Sequence, residues 1–264
     1  NTDAQALYFS KGLSDKFTKK ILIGKNITKG LGTGMNAELG KRSAEESNQE
    51  ILEAICGGSS SRSKEYPALA GKADMVFITC GLGGGTGSGA SPVIAEISKN
   101  LGILTIGVVT TPFSFEGEAR KKIADLALRD LKEKVDSLLV ISNDKLLKVI
   151  DEKTTVSSAF LVCDDILREA VQSITDLILM PGIINIDFAS VLSIMKNSGQ
   201  ALFGAGKASG ENRAVLAAEK AISSPLLDFS IKGAKGVLFS VSGNDVTLNE
   251  IQESAKIITK NVDP

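Results

Sequence analysis

The chain has 264 residues, enough for a sizeable core and up to two domains, and its 43% hydrophobic and 23% charged residues are the balance of an ordinary globular protein. A formal net charge of −1 argues against a general nucleic-acid surface, and no apolar run approaches a membrane span. Histidine is absent, which removes Ser-His and Cys-His nucleophile pairs and histidine-ligated metals and leaves chemistry to carboxylates, amides, backbone donors and bound Mg²⁺.

In chain order, Asn1-Thr-Asp-Ala-Gln-Ala-Leu7 fits a polar turn. Lys25-Asn-Ile-Thr-Lys-Gly-Leu-Gly-Thr-Gly-Met-Asn36 is a glycine-rich loop, which composition alone leaves as flexible surface. Ser43 to Ile55 shows apolar residues at helical spacing, with Glu45 and Glu46 in the first turn. Gly57-Gly-Ser-Ser-Ser-Arg-Ser-Lys64 is low-complexity and polar, the composition of an insertion in a surface loop. Met75-Val-Phe-Ile-Thr-Cys80 reads as a buried parallel strand and Ala90 to Lys99 as a helix.

Between them stands Gly81-Leu-Gly-Gly-Gly-Thr-Gly-Ser-Gly89. Strand, glycine loop and helix in that order aim backbone N–H groups and a helix N-terminus at an anion. Six glycines in nine residues remove the side chains that would hold a phosphate away. A Walker-type loop would need Gly-Lys-Ser/Thr, whereas Ala90 and Ser91 follow Gly89. Gly85 to Ala90 fits the loose G-x-G-x-x-A form of the dinucleotide fingerprint.

Ile103 to Val109 is a second buried strand, followed by Thr110-Thr-Pro-Phe-Ser-Phe-Glu116-Gly and a helix from Glu118 to Lys134. Glu116 falls at a strand's carboxyl end, where parallel α/β sheets bind ligands. Its carboxylate could accept from ribose hydroxyls, with Arg120 one turn on towards phosphate or sugar. The two residues also fit an i,i+4 surface ion pair. A third strand, Ser137 to Ser142, leads into Asn143, a candidate base or ribose contact.

Val156 to Leu179 is a long helix with Phe160, Cys163, Leu167, Ala170, Ile174 and Ile178 on one face, stopped by Met180-Pro181-Gly182. Phe160 could stack on a purine, and Asp164 could accept from both N1–H and the 2-amino group of guanine, donors that adenine lacks. Alone, they equally fit a core aromatic and a solvated first-turn acid. Asp187 suits the N-cap of a helix beginning at Phe188. Ala201 to Gly206 and Gly236 to Val241 read as strands, Glu211 to Ser223 and Thr247 to Lys260 as helices. Two strands are too few for an independent sheet. Cys56, Cys80 and Cys163 lack zinc spacing and read as buried thiols of a reducing compartment.

The longer string Gly83-Gly-Gly-Thr-Gly-Ser-Gly89 resembles the signature of the tubulin/FtsZ superfamily of GTPases. The stretches around Pro112, Phe115, Glu116, Gly117 and Arg120, Phe160 with Asp164, Gly182 to Val191 and Ser223 to Leu227 are similar to bacterial FtsZ. The resemblance runs through nearly the whole chain apart from the 57–72 stretch. It implies an α/β fold: a tubulin-like GTPase domain with a parallel Rossmann-type sheet, a long central helix and the first part of an α+β second domain. The corresponding divisions are 1–155, 156–181 and 182–264. It also implies that the family's first strand, first glycine loop and first helix are missing before Asn1, and that further strands are missing after Pro264.

By the same resemblance, GTP or GDP with Mg²⁺ is expected on Gly83, Gly84, Gly85, Thr86, Gly87, Glu116, Arg120, Asn143, Phe160 and Asp164, with Asn1 and Asp3 as further contacts. The Lys25–Asn36 loop would close around the terminal phosphate, and no protein metal ligands are implied. Asn185 and Asp187 would act on the nucleotide of the next subunit in a head-to-tail filament, polarising the attacking water. The motif's second acid is Ser190 here, which can hold a water but carries no charge to orient it, so slow hydrolysis is expected. The implied partners are copies of the chain and membrane-tethering division proteins reached through a tail not present here, without nucleic acid or direct membrane insertion. The implied location is cytoplasmic, at the bacterial division ring. One alternative is a GTP-binding scaffold of the same fold with little hydrolysis, which Ser190 favours. The other is a nicotinamide-dependent oxidoreductase; against it, no acid follows the next strand at the usual distance, and Phe160 and Asp164 suit guanine.

Overall fold

The computed structural model describes residues 21–56, 73–147, 150, 154–180, 182, 186–224 and 231–262. The expected insertion at 57–72 lies outside the described residues. The helices are α1 (Ala37–Glu46), α2 (Asn48–Ile55), α3 (Gly85–Asn100), α4 (Glu118–Lys134), α5 (Asn143–Leu146), α6 (Val156–Leu179), α7 (Phe188–Met195), α8 (Arg213–Ile222) and α9 (Leu248–Thr259). The strands β1 (Met75–Gly81), β2 (Leu104–Thr111), β3 (Ser137–Ser142) and β4 (Gly199–Ala201) form one parallel sheet in the order β1-β2-β3-β4. Met75 lies opposite Leu104, and Ile106 opposite Ser137.

β2 is buried from Leu104 through Thr110, because a central parallel strand is covered on both faces and both edges. Alternation then sorts its side chains. Leu104, Ile106 and Val108, with Leu139 and Ile141 of β3, face Cys163, Leu167 and Ala170 of α6 and Val191 and Met195 of α7. Val109, with Ile78 and Leu138, faces Ala95 of α3 and Ala124, Ala127 and Leu131 of α4. An outer layer of α1 and α2 packs Ala44 and Ile51 on Ala90, Val93 and Ile97 of α3. No helix among the described residues is long and apolar enough to cross a membrane.

The expected helix at Ser43 to Ile55 is instead two, divided at Ser47. The first starts at Ala37 because Asn36 Oδ1 accepts from Leu39 N at 3.1 Å, an N-cap within what reads as a glycine loop. Glu45 and Glu46 therefore close α1 and do not open it. The α3 helix begins at Gly85, five residues before Ala90, and takes in half of the glycine string. Of the two expected C-terminal strands, the first, Ala201 to Gly206, is strand only at Ala201, where β4 ends, and Gly236 to Val241 has no ladder partner among the described residues. Apolar alternation supplies a face but not a neighbouring edge.

The α1–α3 crossing depends on bare backbone. A Cβ at Gly89 would run into the Ala37 carbonyl and Lys41 N; one at Gly40 would meet the Gly85 carbonyl. On an open helix Gly→Ala gains about 1 kcal/mol. Here Gly89→Ala is expected to lose about 1–3 kcal/mol in urea unfolding, the opposite sign, because the methyl has no room.

The α8–α9 pair is joined by Arg213, whose Nε donates to Glu250 Oε1 at 2.6 Å and Nη2 to Oε2 at 3.3 Å. Glu250 Oε2 also accepts from Thr247 N at 2.8 Å, completing a capping box at the start of α9. Arg213 first, then the Thr247 N–H, hold the Glu250 carboxyl down to about 2. An unfolded glutamate titrates near about 4.3. The native pair is therefore at full strength above that value and is lost as pH falls through about 2. Amide protection in α8 and α9, corrected for intrinsic exchange, should fall over this acid interval, and less steeply in Arg213→Met.

Candidate functional site

Three strands end side by side at Gly81, Thr111 and Ser142, and the residues just beyond them make the site. After β1, Leu82 N donates to the Thr110 carbonyl at 2.9 Å, so the chain leaves the sheet under control of its neighbour. Gly83 has φ +96°, a conformation that strains an L side chain, and its N–H donates to the buried Ser88 hydroxyl at 2.9 Å. Gly84, the N-cap of α3, has open space where a Cβ would project. The start of α3 has no capping side chain and no acid in its first turn. Its positive end and first N–H groups are thus left for an external anion.

The glycine string serves more than that opening. A Cβ at Gly85 would collide with Thr33 and Asn36, and one at Gly87 with the Gly81 carbonyl. Gly83 and Gly84 shape the loop, while Gly85, Gly87 and Gly89 let α3 press against its surroundings. The Thr86 hydroxyl lies 3.2 Å from that of Thr33, in the second glycine-rich loop.

After β2, a 3-10 turn at Ser114–Glu116 leads into α4. Glu116 Oε1 accepts from Phe113 N at 2.9 Å and Oε2 from Arg120 Nη1 at 3.1 Å, so the i,i+4 pair is formed. The backbone of Arg120 packs against Gly83, bringing this turn beside the glycine loop. After β3, Asn143 is 5% exposed, and its Oδ1 has no hydrogen-bond partner among the described residues. A buried acceptor left open at the carboxyl end of a parallel sheet fits a ligand donor. Its neighbour Asp144 accepts from Ser114 N at 2.8 Å and Ser114 Oγ at 2.5 Å, tying the two strand ends together.

The α6 helix completes the group. Phe160 meets Phe113 edge-to-face at 5.3 Å, and Phe115 stacks on Phe113 at 4.9 Å. Phe160 remains 40% exposed, so it is not a closed core aromatic. Burial first, then the charge of Asp165, raise the Asp164 carboxyl above the usual range. The Cys163 thiol is pushed up to about 12 by burial and, less, by the charges of Asp164 and Glu116.

The remaining site residues divide differently. Asn1, Asp3 and Asn185 lie outside the described residues. Asp187 is exposed and caps α7, accepting from Ser190 N at 2.8 Å. The Ser190 hydroxyl first, then that N–H, hold its carboxyl below the usual range. Phe188 and Leu192 of α7 line a cleft of about 490 Å³ with Leu104 and Asp136, at the amino ends of β2 and β3. An eight-residue strand separates that end from the glycine loop, roughly 23 Å. No group of three or more His, Cys, Asp or Glu suited to a metal occurs among the described residues. Sequence reasoning missed Thr33, Ser88 and Asp144; only Asp144, beside Asn143 at a strand end, carried a positional signal.

Residues 1–151 match the model of the Tubulin/FtsZ family GTPase domain, and residues 199–264 that of the FtsZ family C-terminal domain. An FtsZ W319Y mutant from M. jannaschii is 42% identical, with a TM-score of 0.81 over 100% of this chain and 74% of that one. An empty FtsZ dimer from M. jannaschii, also 42% identical, gives 0.80 over 93% of this chain and 67% of that one. CetZ1 from Haloferax volcanii, a GDP-bound monomer, is 28% identical with a TM-score of 0.58, over 77% and 57% of the two chains.

The Asp144–Ser114 clamp yields a test of how the site is held. Asp144→Ala is expected to lower stability by about 1–2 kcal/mol in denaturant unfolding and to raise amide exchange in the Ser114–Glu116 turn.

Proposed function

Since this chain belongs to the tubulin/FtsZ family of GTPases, we propose that it binds GTP at the carboxyl end of its sheet and hydrolyses it when assembled head to tail. The observation that carries this reading is the start of α3, uncapped and without an acid, opening beside Arg120, with the buried Oδ1 of Asn143 at the same end of the sheet after β3. The N–H groups of Gly84, Gly85, Thr86 and Gly87 hold the phosphates, while Gly83, whose N–H donates to the Ser88 hydroxyl, shapes the loop against them. Glu116 accepts from the ribose, Arg120 neutralises phosphate or sugar oxygens, and Asn143 accepts from ribose or base. Phe160 stacks on the purine while Asp164 takes both guanine donors; Asn1 and Asp3 add contacts to the nucleotide. Mg²⁺, when bound with the nucleotide, would neutralise phosphate charge beside the start of α3. In this reading, 1–155 is the nucleotide-binding unit, 156–181 the central helix, and 182–264 the second unit with the catalytic loop.

Hydrolysis needs a group that orients water, and Phe188, the residue after Asp187, lines the cleft at the amino end of β2, a strand's length from the glycine loop. That separation supports catalysis on a neighbour's nucleotide, with Asn185 and Asp187 offered by the next subunit. The dimeric form of the M. jannaschii FtsZ relative supports self-association, and the GDP of CetZ1 supports the nucleotide. The cellular role that follows is a filament of the division ring in the cytoplasm, tethered to the membrane by division proteins.

A second reading keeps the fold and the GTP but little hydrolysis. Ser190 favours it, since its hydroxyl and N–H both engage Asp187 and lower its basicity. Family membership does not favour an oxidoreductase.

Turnover measured against protein concentration, with light scattering on the same samples, tests both. Specific activity that rises together with scattering above a threshold is the expected outcome. Scattering that grows with GTP at flat turnover would favour the scaffold, and no response to GTP would overturn assembly. Ser190→Asp is expected to raise turnover about 100-fold, the lower end of what a positioned acid–base group supplies; an unchanged rate would remove Ser190 from the catalytic shell.

A further inference from the structure

The amino ends of β2 and β3 hold a carboxylate that its surroundings satisfy on one side only. Asp136 stands just before β3 and is 5% exposed. Its backbone is pinned twice: its N–H donates to the Thr105 carbonyl at 2.8 Å, and its carbonyl accepts from Gly199 N at 2.9 Å. Oδ2 accepts from Thr105 N at 2.9 Å, whereas Oδ1 has no hydrogen-bond or ion-pair partner among the described residues. Lys99, on the same cleft, spends its ammonium on the carbonyls of Glu133 and Val135, at 3.2 and 3.4 Å. A buried carboxylate with an open oxygen is costly unless a donor or a cation meets it.

Asp136 lines the cleft of about 490 Å³, a volume within the span of small-molecule sites, about 300–1,000 Å³. The lining divides by chemistry. Leu104, Phe188 and Leu192 are apolar, while Asp74 and Lys196 are exposed charges without a side-chain partner among the described residues. Across the cleft the acids Asp74 and Asp136 balance the bases Lys99 and Lys196. A phosphate-like anion would meet two carboxylates there, and a plain cation two ammoniums. A molecule with one charge of each sign and an apolar body suits the whole lining.

We propose that this cleft binds a small zwitterion with an apolar body, the chemistry of a free apolar amino acid. Its ammonium donates to the open oxygen of Asp136, its carboxylate pairs with Lys196, and its side chain lies against Leu104, Phe188 and Leu192. Asp136 is the anchor: it is buried and held by its own backbone, so little has to be ordered when the ligand arrives. Phe188 and Leu192 belong to α7 and Lys196 is its C-cap, whereas Asp136 is fixed to the sheet, so the ligand bridges the two. The site lies a strand's length from the glycine loop and stands whether or not that loop holds GTP.

Isothermal titration of the full chain with L-phenylalanine, phenethylamine and hydrocinnamate compares the zwitterion with molecules lacking its carboxylate or its ammonium. Saturable binding of L-phenylalanine is expected, with each of the other two weaker by about 10-fold or more, the loss of one hydrogen bond to a charged group. Asp136→Asn keeps an acceptor for Thr105 N and removes the charge, and it is expected to cost about 10-fold in affinity for L-phenylalanine. Lys196→Met, at an exposed position, should cost a similar factor, and it carries the test if thermal unfolding shows that Asp136→Asn folds poorly. No saturable heat with L-phenylalanine up to about 10 mM, ten times a millimolar Kd, would overturn the site. Phenethylamine or hydrocinnamate binding as tightly as L-phenylalanine would overturn the zwitterion. Binding unchanged in both variants, or displaced by GTP, would put the ligand elsewhere and overturn the assignment to this cleft.

Discussion

The close crossing of α1 and α3 is the constraint on which the rest of the structure depends. With Gly40 facing Gly85 and Gly89 facing Ala37 and Lys41, two helix backbones touch directly. Ordinary side chains would hold the axes about 8–10 Å apart. This contact seats the Asn36 cap and the Thr33 turn against the first turn of α3. The open helix start is thus fixed from behind by backbone, and needs no cap of its own to hold its place.

From that fixed point the site spreads along the strand ends. Hydrogen bonds of different sequence reach keep the pieces in register: Ser88 to Gly83 within the loop, and Asp144 to Ser114 between neighbouring strands. Phe113, 1% exposed, is the common floor on which Phe115 and Phe160 rest, so the aromatic face of α6 is positioned by the turn that carries Glu116. The two ends of the sheet are consequently unlike. One carries open donors, an orphan acceptor and an exposed aromatic; the other carries the capped Asp187 and a cleft.

Much of this was legible in the sequence. The helices α4 and α6 and the strand β3 fall where periodicity puts them, because each is long or apolar enough to declare its period alone. The start of α3 was not, since glycine opposes helix locally and its reason for being there is a partner some fifty residues earlier in the chain. Gly236 to Val241 misled in the other direction: β-propensity describes a surface that fits a sheet, and no ladder partner occurs among the described residues. In the site, Glu116, Asn143 and Asp164 were reachable from their positions at strand and helix ends together with the family resemblance. Thr33, Ser88 and Asp144 act through partners that no local pattern names.

The orphaned Oδ1 of Asn143 has a consequence for selectivity by rejection. A buried acceptor with no donor costs the ligand-free protein about 1–3 kcal/mol. That cost is relieved by a molecule presenting an O–H or N–H at this spot, and made worse by one presenting a carbonyl or ring nitrogen. At the site proposed, a molecule that left this acceptor unmet would be rejected more steeply than an apolar pocket could manage.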